Sequence, residues 1–226
     1  MKLAIVHTVS SLVPVFRALT DELLPGVDVF NIVDESLLRQ AIADESVTPA
    51  LAARVARQLW AAEAGGADLI LVSCSSIGYA AERARGLVGV PVVRVDEAMA
   101  LAAVAAGPRI QVLATLRSTL EPTTELIGRM AAEAGRPADV RPLVVDGAYR
   151  KAIAGDTTGH DELIREALDR AMGDADVVVL AQASMARAAA TLPESSRPVP
   201  ILTSPRLAVE KLALMIASGS SVGPAL

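Results

Sequence analysis

The sequence predicts an α/β protein made of two pseudo-symmetric parallel-sheet halves, with the active site in the cleft between them. Strand-like and helix-like segments alternate along all 226 residues, the order that βαβ units impose. The pattern then restarts. Residues 109–115 (RIQVLAT) resemble 2–8 (KLAIVHT), 176–180 (DVVVL) resemble 68–72 (DLILV), and 199–202 (VPIL) resemble 90–93 (VPVV). The spacing stays between 107 and 109 residues, so a duplicated unit explains it better than chance.

Each element has a local cause. Lys2–His7 is a short apolar strand. Residues 11–24 read as a helix closed by Pro25 and Gly26, and 27–32 as a second strand. Pro49–Ala64 reads as a long helix, with Thr48 as its N-cap and Gly65 and Gly66 as its stop. Residues 68–73 and 91–95 are two further strands, and a helix follows over Glu97–Ala106. The expected division is 1–107 plus the C-terminal segment 206–226 for the half carrying Cys74. Residues 108–205 then form the half carrying Gln182.

Composition narrows the function. Apolar residues make up 52% and charged residues 21%, enough for a substantial core. A net charge of −5, no basic cluster and 2% aromatics argue against nucleic acid. No apolar run approaches the roughly 20 residues that span a bilayer, and no secretory leader stands out. One cysteine precludes an internal disulfide and fits a reducing, cytoplasmic setting. His7 and His160 lack paired ligand spacing, so no metal is expected. Glycines form no phosphate-binding pattern, and no Gly-x-Ser-x-Gly elbow is present. The helices 50–64 and 207–216 either bury a homo-oligomer interface or pack on the sheets.

Ligands of open parallel sheets bind beyond the carboxyl ends of strands. There the first half offers His7, Thr8, Ser10, Ser11, Cys74, Ser75, Ser76, Asp96 and Glu97. The second offers Thr115, Ser118, Thr119, Gln182, Ser184, Thr203 and Ser204. Such a hydroxyl-rich set suits a small carboxylate or other oxyanion. Cys74, at a strand-to-helix turn among serines, is the candidate acid or base; its bland alternative is a small buried hydrophobe. Ser75 and Ser76 would offer donors to an oxyanion or cap the helix. His7 would be a second proton-transfer group, a neutral donor or a structural histidine. Asp96 and Glu97 would cap the helix that follows them, and His160, in a polar stretch, is expected at the surface. Arg117, Tyr79 and Tyr149 would reach the site only if they are not ordinary surface or packing residues.

Three segments carry a resemblance. They are VSCSS around Cys74, VPVVRVDEAM over 90–99, and residues 110–124 with Ala114, Thr115 and TLEPT. In order and spacing the chain resembles the aspartate/glutamate racemase superfamily, which includes hydantoin racemases, maleate isomerases and arylmalonate decarboxylases. The resemblance implies cofactor-independent chemistry beside a carboxylate or carbonyl, with Cys74 moving a proton. Racemases of this kind use a second cysteine from the other half. Here the position 108 residues beyond Cys74 is Gln182, neither acid nor base near neutrality. The expectation is therefore an isomerase or decarboxylase catalysed by Cys74. Substrate contacts are expected from Thr8, Ser10, Ser11, Ser75, Ser76, Thr115, Ser118, Thr119, Gln182 and Ser184. The alternatives are a racemase whose second base is His7 or another group, and a non-catalytic binder of small acids.

Overall fold

The computed structural model describes residues 1–218; residues 219–226, the end of the segment assigned to the first half, lie outside the described residues. Among the described residues the strands form two four-stranded parallel sheets. One contains β1 (Lys2–His7), β2 (Asp28–Val33), β3 (Leu69–Val72) and β4 (Val92–Arg94), in the order β2-β1-β3-β4. The other contains β5 (Arg109–Ala114), β6 (Asp139–Val144), β7 (Val177–Leu180) and β8 (Ile201–Thr203), in the order β6-β5-β7-β8. The registers also correspond: Leu3 faces Leu69 in the first sheet, and Ile110 faces Val177 in the second. Thus the repeat read in the sequence is a repeat of topology.

The first unit carries helices α1 (Val13–Leu23), α2 (Glu35–Asp44), α3 (Pro49–Ala64) and α4 (Gly78–Ala84). The second carries α5 (Glu97–Ala106), α6 (Arg117–Glu133), α7 (Ala148–Ile153), α8 (Thr157–Ala171) and α9 (Ala186–Ala190). The last helix, α10 (Ser204–Ala217), rejoins the first unit from Pro205 onward. The chain divides between Asp96 and Glu97, ahead of α5, and not at 107. The reason is packing. Buried Met99, Ala100, Ala103 and Val104 line α5, and the helix lies against α6, β7 and β8 of the second sheet.

Strand alternation explains the core of the first unit. Leu3 and Ile5 of β1 pack with Phe16, Leu69, Leu71, Val93 and, from α10, Ala208, Val209 and Leu212. Ala4 and Val6 face the other way, onto Leu51, Val55 and Leu59 of α3, with Ile70, Val72 and Ile77. In the second unit Leu113, Val178 and Leu180 pack against Ile164, Ala167 and Leu168 of α8.

Helix α3 begins and ends as its sequence dictates. The Thr48 hydroxyl accepts from the Leu51 N–H at 3.2 Å, and Pro49 occupies the first turn, where a missing N–H costs nothing. Replacing Thr48 with alanine is expected to cost about 1 kcal/mol, read as a lowered urea midpoint with an unchanged slope. An unchanged midpoint would mean that water caps this helix equally well.

Candidate active site

Cys74 sits two residues beyond β3, in extended conformation, and begins a single 3-10 turn over Ser75–Ile77. The Ser73 N–H donates to Val6 O at 3.0 Å, continuing the sheet ladder up to the turn. The Gly78 N–H donates to Ser75 O and closes the turn into α4. The backbone N–H groups of Ser76 and Ile77, with the hydroxyls of Ser76 and Thr8, act on the sulfur. Thr8 Oγ1 is buried without a hydrogen-bond partner among the described residues. Burial pushes the Cys74 thiol above its ordinary value, and these four donors pull the other way. Burial thus favours the thiol, and the neighbouring donors favour the thiolate.

His7, at the end of β1, is fully buried. Its Nε2 lies 2.9 Å from Asn31 Oδ1, its Nδ1 lies 2.9 Å from Ser73 Oγ, and its ring meets Phe16 edge-on at 5.5 Å. Both ring nitrogens are thus engaged inside the first unit. Burial lowers its pKa below the ordinary 6.5, and the Asn31 contact offsets this only in part. A histidine whose folded pKa is depressed takes up its proton more readily when unfolded. Its contribution to stability is therefore intact above the unfolded value and lost as pH falls below it. Urea unfolding followed from about pH 7 to about pH 5 is expected to show this loss, and His7→Gln to show less of it. An equal pH dependence in both proteins would remove His7 as the cause.

The second repeat places Gln182 where the first places Cys74. Gln182 follows β7 by two residues, is extended, and begins a 3-10 turn over Ala183–Met185. Its Oε1 accepts from the Thr115 N–H at 2.5 Å and from the Thr115 hydroxyl at 2.8 Å. Thr115 in turn occupies the place of Thr8. Each unit therefore places a threonine after its first strand and a polar side chain after its third, and in the second unit the two are bonded. Both lone-pair directions of the Gln182 oxygen are spent, which fixes the carboxamide and leaves its N–H donors for another acceptor.

The remaining candidates divide. Ser75, Ser76 and Thr119 are buried, and each has a partner. The Ser118 and Ser204 hydroxyl oxygens are buried without one among the described residues. Ser10 is exposed, and Glu35 Oε1 accepts from its hydroxyl at 2.6 Å; Ser11 and Ser184 are exposed. Tyr79 and Arg117 are exposed as well. Among the described residues no group of three His, Cys, Asp or Glu side chains could hold a metal ion, and no helix is long and apolar enough to cross a membrane.

One expectation is corrected. His160 is not at the surface: it is 3% exposed, and its Nδ1 lies 2.8 Å from Asp161 Oδ1, which also receives Arg187. Asp96 is fully buried as the partner of Arg94, whose Nε and Nη2 donate to its two oxygens at 3.0 and 2.8 Å. The Arg94 Nη1 donates to Glu82 Oε2 at 2.8 Å. Sequence reasoning passed over Arg94, the last residue of β4, because its partner Asp96 lies in the turn beyond the strand.

Residues 6–212 match the Asp/Glu/hydantoin racemase family model, and the chain belongs to that family. Among solved structures it is similar to allantoin racemase from Klebsiella pneumoniae, at 20% identity and a TM-score of 0.74. That match covers 100% of this chain and 90% of the other. It is also similar to allantoin racemase from Pseudomonas fluorescens (21%, TM-score 0.65, 98% and 93% covered). A glutamate racemase isoform from Bacillus anthracis shares the fold as well (13%, TM-score 0.72, 98% and 83% covered). At these identities the likeness speaks for the fold. No curated protein sequence matches the chain.

Proposed function

We propose that this protein is a cofactor-independent isomerase or decarboxylase acting at a carbon next to a carboxylate or carbonyl, with Cys74 as its proton-transfer group. The observation that carries this is the turn after β3, where the chain's one thiol begins a 3-10 turn beside the N–H groups of Ser76 and Ile77 and the buried, unpartnered Thr8 hydroxyl. In the protonating direction the enediolate carbon takes the proton of the Cys74 S–H. The bonding pair stays on sulfur, and Thr8, Ser76 and Ile77 hold the thiolate until solvent returns a proton. In the reverse direction the thiolate removes the carbon-bound proton. Spare donors near each strand end, the Gln182 carboxamide and the Ser118 hydroxyl in the second unit among them, suit substrate oxygens.

Racemisation is the second reading, favoured by the family itself. It requires a second acid–base group. Gln182 supplies none near neutrality, and both nitrogens of His7 are engaged. One-sided chemistry is therefore the better account.

The test is solvent deuterium exchange, followed by NMR on a panel of amino acids, hydroxy acids, malonates and hydantoins. Exchange or CO2 release by the wild type that disappears in Cys74→Ser supports the proposal. Small acids bound equally by both proteins, with no exchange in either, would make this a binding protein.

A further inference from the structure

Arg94 makes contacts that β4 itself does not need. It is 1% exposed on a three-residue strand, and its guanidinium spans two elements beyond that strand. It pairs with both oxygens of Asp96, itself fully buried, and with Glu82, the fifth residue of α4. It also lies flat against the first residue of that helix. A Cβ placed on Gly78 would come within 2.6 Å of Nε and 2.7 Å of Cζ and Nη2. Gly78 closes the Cys74 turn through its bond to Ser75 O. One side chain thus holds α4 at its start and one turn later, next to the turn that Cys74 begins.

A buried ion pair is a poor device for stability alone, because well-packed apolar residues often do as well. What it supplies is register, since a bidentate guanidinium fixes both distance and plane. We infer that Arg94 is a positioning residue for Cys74: clamped by Asp96 and Glu82 and packed on Gly78, it sets where the turn presents its donors to the sulfur. This rests on Cys74 being the proton-transfer group. The test nevertheless reads the thiol directly, so either claim can fail alone.

Two independent routes loosen the clamp. Arg94→Met combined with Asp96→Asn removes the guanidinium without leaving a charge buried. Gly78→Ala keeps every charge and pushes the guanidinium off the turn. Cys74 is the protein's one thiol, so modification by methyl methanethiosulfonate, followed by mass as a function of pH, titrates it alone. Of the other titratable groups near the turn, His7, Tyr79 and Glu82 are left untouched. In each folded variant the midpoint of the profile is expected to rise by about one pH unit, a tenfold slower reaction at neutral pH with the same limiting rate at high pH. Where exchange activity is measurable, kcat is expected to fall with KM little changed. Adding Gly78→Ala to the double variant is expected to do nothing further, because the group it displaces is gone. A wild-type profile in either folded variant, or full additivity of the two changes, would overturn the inference. A change in unfolding midpoint with the thiol profile unmoved would make Arg94 merely structural.

Discussion

Cys74→Ser is expected to lose about 10²–10⁴-fold in the rate of carbon-bound proton transfer while keeping the wild-type fold. The substitution is chosen for shape. A serine hydroxyl fills nearly the same space and still meets Thr8 and the N–H groups of Ser76 and Ile77. What it lacks is acidity, since an alcohol holds its proton too tightly to give it to an enediolate at working pH. The donors around the sulfur would remain and would still bind anions. Substrate binding is therefore expected to survive better than turnover, so that kcat carries most of the loss. Deuterium exchange on whichever compound of the panel reacts reads the rate, and circular dichroism checks the fold. A serine variant that exchanges within a few-fold of the wild type would end the case for Cys74.

The second large effect concerns stability. Asp96→Ala is expected to destabilise the first unit by about 3–5 kcal/mol. The Arg94 guanidinium would stay buried with only the largely buried Glu82 to pair with, and two of its hydrogen bonds would lose their acceptor. Removing both charges with Arg94→Met and Asp96→Asn is expected to cost much less, which is what lets that pair serve as a probe of the thiol. Urea unfolding of the three proteins measures the contrast. A loss below about 1 kcal/mol in Asp96→Ala would mean that water enters and solvates the arginine.

How much of this was legible beforehand depended on whether the signal was local. The helix Pro49–Ala64 carries its own stop and start residues, and the structure agrees with them to the residue. Glu97–Ala106 was equally clear as a helix, but its sheet was not, because its ten residues are apolar nearly all round and name no partner. Helix α2 was passed over, although Asp34 accepts from the Ser36 N–H at its start, a capping signal readable in the letters. His160 was misjudged from its polar neighbours. Counting onward from it, Ile164, Ala167, Leu168 and Ala171 are all buried on one face of α8, a spacing that would have turned it inward. The correspondence of Cys74 with Gln182 was readable from the spacing alone, since the repeat preserves it. The bond that ties Gln182 to Thr115 was not, because no pattern in one sequence reports which way a carboxamide points.

The route of the chain has a consequence for biosynthesis. The second unit is one continuous stretch, whereas one face of the first sheet is sealed by Ala208, Val209 and Leu212 of the last helix. On the ribosome, Leu3, Ile5, Leu69, Leu71 and Val93 are made long before the part of their cover that α10 supplies, while Phe16 of α1 is made early. The nascent first unit therefore waits with that apolar face only partly covered while its neighbour is completed. The order of synthesis runs from the amino end, but the order of completion runs the other way.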